Sequence, residues 1–214
     1  MKQRKVNHVL LWFVKLTGVL PALLFLKPKV IYADKKKQGR HLPKGSILMS
    51  NHKSLMDFVL YLILFFGKTI RFLMAEVLFN KSKAFAWFLF GIGGIYVNRD
   101  AKDFGFMHES IDVLDKKGIV GIFPESRLPL NGKPWPFKPS VSYIALHSDA
   151  PIIPVYTDGN YGLFKRAHVV IGTPIYLNEL RDPNLPEDKD IERLTKLLEE
   201  KTYELKELLN RNGK

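Results

Sequence analysis

The chain has 214 residues, a formal net charge of +12 and 46% hydrophobic residues, enough for one globular domain with a short appendage and too apolar for a disordered chain. It contains no cysteine, which excludes disulfides, thiolate metal sites and a cysteine nucleophile. The basic excess points to an anionic partner: nucleic acid, anionic lipid or a phosphorylated substrate.

Residues 6–26 (VNHVLLWFVKLTGVLPALLFL) are apolar over a length that spans about 30 Å as a straight helix. Lys15 lies inside the run, and Gly18 and Pro21 interrupt it, so two short helices with a bend are expected. Basic residues flank both sides: Lys2, Arg4 and Lys5 before, Lys27, Lys29 and Lys35–37 after. That distribution suits a segment dipping into one leaflet better than a single span or an ordinary buried pair of helices. No small-residue cleavage site is evident. We place the N-terminal membrane-associating segment at 1–33 and the main domain at 34–214.

A polar loop (34–46) comes next. Strands are expected at 47–50, 70–74, 95–97, 119–123, 152–156 and 167–171. Helices are expected at 55–66, 77–90, 103–116, 140–148 and 188–210. Alternating strands and helices give an α/β layered domain. The last helix carries Ile191, Leu194, Leu198, Leu205 and Leu208 near one face, which is expected to pack on its own domain.

Three segments could carry chemistry. In Asn51-His52-Lys53-Ser54-Leu55-Met56-Asp57, a strand ends just before a His and an Asp five residues apart. On one helix they would point about 140° apart, so they meet only if His52 lies in the turn before the helix and Asp57 in its first turn. An Asp bonded to one imidazole nitrogen fixes the tautomer and leaves the other nitrogen to take a proton. The bland alternative is that Ser54 and Asp57 form a capping box and His52 is a loop residue. In Gly94-Ile95-Tyr96-Val97-Asn98-Arg99, an Arg leaves a short strand, with a fork suited to phosphate; it could equally pair with Asp100 or Asp103. In Phe123-Pro124-Glu125-Ser126-Arg127, a buried strand delivers Glu125 and Arg127 to a strand end, where α/β sheets bind ligands. Lys138, before the 140–148 helix, adds a cation at a helix N-terminus. These last could also be a structural ion pair and a surface lysine. The remaining histidines, 8, 41, 108, 147 and 168, show no acidic partner at a matching spacing.

In this order, these segments resemble the blocks of the glycerophospholipid acyltransferase family, the bacterial 1-acyl-glycerol-3-phosphate acyltransferases in particular. Residues 150–155 (APIIPV) and 170–175 (VIGTPI) are similar to its later blocks, so the resemblance spans roughly 45–175. The family reads Phe-Pro-Glu-Gly-Thr-Arg at its third block. Here Glu125-Ser126-Arg127 is one residue shorter and lacks the glycine, which restricts that turn.

The resemblance implies a mixed central sheet flanked by helices, with an N-terminal helical anchor. It implies transfer of a fatty acyl group from acyl-coenzyme A or acyl-carrier protein to the free hydroxyl of 1-acyl-glycerol-3-phosphate, giving phosphatidic acid. His52 and Asp57 are the expected catalytic pair, with Asn51, Arg99, Glu125, Arg127 and Lys138 binding substrate. No metal and no cofactor beyond the acyl donor are expected. The expected partners are the bilayer, lysophospholipid and acyl thioester, with acyl-carrier protein a further candidate, and the expected location is the cytoplasmic face of the cell membrane. The apolar runs 58–66 and 85–90 are candidates for an acyl groove, though such runs more often form core. Rival readings are another acceptor (glycerol-3-phosphate, lyso-ornithine lipid or another lysophospholipid) and a non-catalytic membrane-surface binding protein. A nucleic-acid role is not expected, for want of a basic ladder with stacking aromatics.

Overall fold

The computed structural model describes residues 5–98 and 104–212. In chain order the elements are α1 (His8–Leu26), β1 (Lys29–Tyr32), β2 (Ser46–Ser50), α2 (Met56–Leu64), β3 (Ile70–Ala75), α3 (Glu76–Phe79), α4 (Lys83–Gly91), β4 (Ile95–Val97), α5 (Gly105–Asp115), β5 (Ile119–Ile122), α6 (Ser140–Ser148), β6 (Ile152–Thr157), β7 (His168–Ile171), a 3-10 turn (Leu177–Leu180) and α7 (Glu187–Asn212). The strands form one seven-stranded sheet in the order β1-β7-β6-β2-β5-β3-β4. The five strands from β6 to β4 run parallel; β7 is antiparallel to β6, and β1 runs parallel to β7. The sheet is therefore mixed, as the family resemblance implies.

Period-two alternation sends successive residues to opposite faces. On β2, Leu48 joins the core under α1, α2 and α4, while Ile47 and Met49 join the core under α5, α6 and α7. Burial on both faces explains why β2, β5 and β6 read as continuous apolar runs. Parallel strands also bring their C-terminal ends to one edge. Residues following β2, β5 and β6 meet there.

The N-terminal segment differs from the expected bent pair. α1 is one continuous helix of 19 residues with Pro21 inside it. An internal proline costs about 3 kcal/mol, and tertiary packing offsets it. Leu11, Lys15, Ala22 and Leu26 form one buried stripe, and α1 packs on α2 and α4. Asn7 caps the start, its Oδ1 accepting from Leu10 N at 3.1 Å. The Lys15 ammonium donates to the carbonyls of Phe66 (2.8 Å) and Lys68 (2.5 Å), past the end of α2. Burial pulls its pKa down to about 8. Residues 29–32, placed by sequence in the N-terminal segment, are the edge strand of the sheet. The expected 77–90 helix is two helices, with Ser82 capping the second through a bond from Phe85 N.

Phe72 on β3 stacks on Phe123, with centroids 5.7 Å apart. It lies directly over Gly121 of β5, where an added Cβ would come within 2.3 Å of its ring. Gly121→Ala must therefore displace a fully buried aromatic. A loss of about 1–3 kcal/mol is expected, measured as a fall in chemical-denaturation midpoint.

Candidate active site

β2 ends at Ser50, and the next seven residues build the centre of the site. Asn51 is buried, and its side chain is consumed by the neighbouring strand. Its Nδ2 donates to Thr157 O (2.9 Å), and its Oδ1 accepts from Thr157 N (2.8 Å). Asn51 thus clamps the end of β2 to the end of β6. One N–H and the oxygen of the amide, assigned by sequence to substrate binding, thus serve the structure.

His52 lies in the turn and Asp57 in the first turn of α2, the arrangement that lets a five-residue spacing close. His52 Nδ1 and Asp57 Oδ2 are 2.9 Å apart. A carboxylate oxygen only accepts, so in the neutral imidazole Nδ1 carries the proton and Nε2 has the lone pair. The same Oδ2 accepts from Lys53 N (2.6 Å) and Ser54 N (2.9 Å). One carboxylate therefore does both things the spacing allowed: it anchors the helix start and orients the imidazole. Asp57 is fully buried.

A fourth donor comes from far away in sequence. Tyr161, in the loop between β6 and β7, donates its hydroxyl to Asp57 Oδ1. Burial, and then the Asp57 charge, push the phenol pKa well above its ordinary value, so it stays a donor. No local spacing connects positions 161 and 57, and sequence reasoning missed it.

Two further groups frame His52. Its ring stacks on Phe123, with centroids 4.3 Å apart and planes 18° apart. Its backbone N donates to Glu125 Oε1 at 3.1 Å. Glu125 is buried, and Oε2 has no hydrogen-bond partner among the described residues. Desolvation raises its pKa, an effect opposed by the bond from His52 N and by the charge of Lys53. Glu125 thus holds the turn that carries His52. The Arg127 guanidinium lies 5.8 Å from the ring centroid of Trp135.

Ser126 occupies the place of the missing glycine. Its N closes a turn onto Phe123 O (2.9 Å), and it takes φ +57°, the left-handed region that glycine adopts at least cost.

Two cavities open beside these groups and share Ser126 and Lys138. One, of about 400 Å³, is mainly apolar and runs between Met74, Phe104, Met107 and Phe123. The other, of about 250 Å³, holds Arg127, Lys138 and Glu125. The expected acyl-groove runs lie elsewhere: residues 60–65 and Leu89 are core, and Phe85, Ala86, Phe88 and Phe90 pack against it. Arg99 lies outside the described residues. His168, expected to lack an acidic partner, pairs its Nδ1 with Asp158 Oδ2 at 2.7 Å across the β6–β7 junction.

Tyr161→Phe leaves a buried carboxylate oxygen short of a donor. It should cost about 1–3 kcal/mol of stability and lower kcat with KM nearly unchanged, read from denaturation and steady-state kinetics. At position 126, Gly should leave stability intact. Val, β-branched at positive φ, should cost about 1–3 kcal/mol; denaturation of the two variants side by side checks the contrast.

The family model described as Acyltransferase matches residues 34–158. The 1-acyl-sn-glycerol-3-phosphate acyltransferase alpha of Homo sapiens is 26% identical over 138 residues, 62% of this chain and 49% of that protein. Its Mus musculus counterpart is 28% identical over 138 residues, 62% of this chain and 48% of that protein. The chain thus spans about half the length of these curated relatives. The crystal structure of the 1-acyl-sn-glycerophosphate (LPA) acyltransferase PlsC from Thermotoga maritima superposes with a TM-score of 0.63 and 23% identity, covering 94% of this chain and 80% of that one. At that identity the likeness is one of fold. With more than half of its residues matched by the family model, His52, Asp57 and Glu125 among them, this chain belongs to the acyltransferase family.

Proposed function

We propose that this acyltransferase moves a fatty acyl group from a thioester, acyl-coenzyme A or acyl-carrier protein, to the free hydroxyl of 1-acyl-glycerol-3-phosphate. The observation that carries this reading is the 2.9 Å bond between His52 Nδ1 and Asp57 Oδ2, which leaves Nε2 as a base. Nε2 takes the hydroxyl proton as the oxygen attacks the thioester carbonyl. Asp57 stabilises the imidazolium that forms. The C–S bond breaks as the tetrahedral intermediate collapses, and the proton passes from His52 to the departing thiolate. The products are an ester and a free thiol. No enzyme nucleophile is needed, consistent with a chain that has no cysteine.

The polar cavity with Arg127 and Lys138 suits the acceptor phosphate, and Arg99 is assigned to the same task by its family block. The adjoining apolar cavity suits an acyl chain. The shortened Glu125-Ser126-Arg127 turn, with Arg127 laid against Trp135, favours a second reading in which the acceptor is another lysophospholipid or glycerol-3-phosphate.

An amphiphilic acceptor calls for a site at the bilayer. α1 buries one stripe on the domain and exposes Val9, Trp12, Phe13, Leu16, Leu20, Leu23 and Leu24 on its other side. A helix attached to its domain along its length, with Lys15 bonded to it, lies in the interface rather than crossing it. The cytoplasmic face is the proposed side, since acyl thioesters are made there.

Purified protein in detergent, given lysophosphatidate and acyl-coenzyme A, should form phosphatidate. His52→Ala should lower kcat by about 10³-fold or more, and Asp57→Asn by about 10²–10⁴-fold. Equal turnover by His52→Ala would remove the base assignment. Glycerol-3-phosphate, other lysophospholipids and acyl-carrier protein as alternative substrates identify acceptor and donor; no transfer to any acceptor would favour a binding protein.

A further inference from the structure

The loop between β6 and β7, residues 158–167 (DGNYGLFKRA), holds an apolar tip out into solvent. Leu163 is 62% exposed and Phe164 wholly so. The tip is fixed at both ends. At its base, Asp158 Oδ1 accepts from Asn160 N (3.0 Å) and His168 N (3.1 Å). Within it, Lys165 N donates to Gly162 O at 3.0 Å.

The same loop is tied to the last turn of α1. Gly162 N donates to Phe25 O (3.2 Å), Ala167 N to Leu26 O (2.9 Å) and Arg166 Nε to Lys27 O (3.3 Å). The Lys27 ammonium donates to Leu163 O. The tip is therefore held beside the C-terminal end of α1, where Leu20, Leu23 and Leu24 are exposed. Exposed basic residues surround the junction: Lys27, Lys29, Lys165 and Arg166. Neither residues 8–33 nor residues 159–167 contain an acidic side chain.

From this arrangement we infer that Leu163 and Phe164 form a second membrane-inserting element, seated with α1 on a bilayer carrying anionic headgroups. The inference rests on the reading of α1 as an interfacial helix and adds a second point of attachment. An apolar pair followed by two cations matches acyl boundary and headgroup in turn. Two attachment points also set orientation, which one helix lying in the interface leaves free to roll. Tyr161 stands two residues before the tip and donates to Asp57, so the loop that meets lipid also holds the catalytic carboxylate.

The chain has no native cysteine, so single labels are clean. Full-length Phe164→Cys, Leu20→Cys and Lys196→Cys, each carrying an NBD fluorophore, are mixed with phosphatidylcholine–phosphatidylglycerol vesicles with and without a doxyl-lipid quencher. The labels at 20 and 164 should shift to the blue and be quenched, and the label at 196, on exposed α7 surface, should not. A label at 20 that inserts while that at 164 stays aqueous overturns the loop assignment and leaves α1 standing. Aqueous labels at both positions overturn the interfacial reading of α1 and the loop with it. In the otherwise native chain, Phe164→Ser should weaken vesicle partitioning on the order of tenfold, and Lys165→Gln about fivefold on anionic vesicles only. Unchanged partitioning of Phe164→Ser also overturns the proposal.

Discussion

One buried carboxylate organises this site. Asp57 has no exposed surface, and four donors converge on it: the His52 imidazole, two backbone N–H groups and the Tyr161 phenol. Burying a lone carboxylate is prohibitively costly unless its lone pairs are filled. The neighbouring structure is arranged to fill them. The turn after β2 must point two amides inward, α2 must begin where it does, and the β6–β7 loop must reach across. The imidazole's orientation follows from that demand.

The sheet makes the convergence possible. Parallel pairing of β2 with both β5 and β6 brings residues 52, 125 and 157 to one edge. Asn51 binds the ends of β2 and β6 together, and Glu125 binds the end of β5 to the turn that carries His52. The imidazole then rests on Phe123, which rests on Phe72, which closes on Gly121. The missing side chain at 121 is thus part of how the imidazole is supported from below. The proposed role of His52 as a base needs a support that cannot shift, and here it is the stacked interior of the sheet.

What could be read in the sequence followed from what is local. The His52–Asp57 pair lies within one strand–turn–helix unit, so spacing alone decided whether it could close. The central strands were plain because burial on both faces makes them continuous apolar runs. Contacts between distant segments were not legible. Tyr161 reaches Asp57 across more than a hundred residues, and nothing in its own neighbourhood marks it. The structural bonds of Asn51 were equally hidden, because sequence does not show that it will pair with Thr157. The His168–Asp158 pair faces itself across two strands whose pairing had first to be known. Pro21 misled in the opposite direction: its local penalty is real, but the buried stripe of α1 outweighs it. β1 was hidden because four residues on a sheet edge, next to a long apolar helix, carry too little alternation to stand out.

The tautomer of His52 bears most directly on all of this. Full-length protein with nitrogen-15-labelled histidine, in detergent, gives the protonation of each ring nitrogen from its chemical shift. The neutral imidazole of His52 should carry its proton on Nδ1 and show an unprotonated Nε2, and replacing Asp57 by Asn should remove that preference. A neutral His52 protonated on Nε2 in the parent protein would contradict the central claim, because the nitrogen assigned to take the substrate's proton would already hold one.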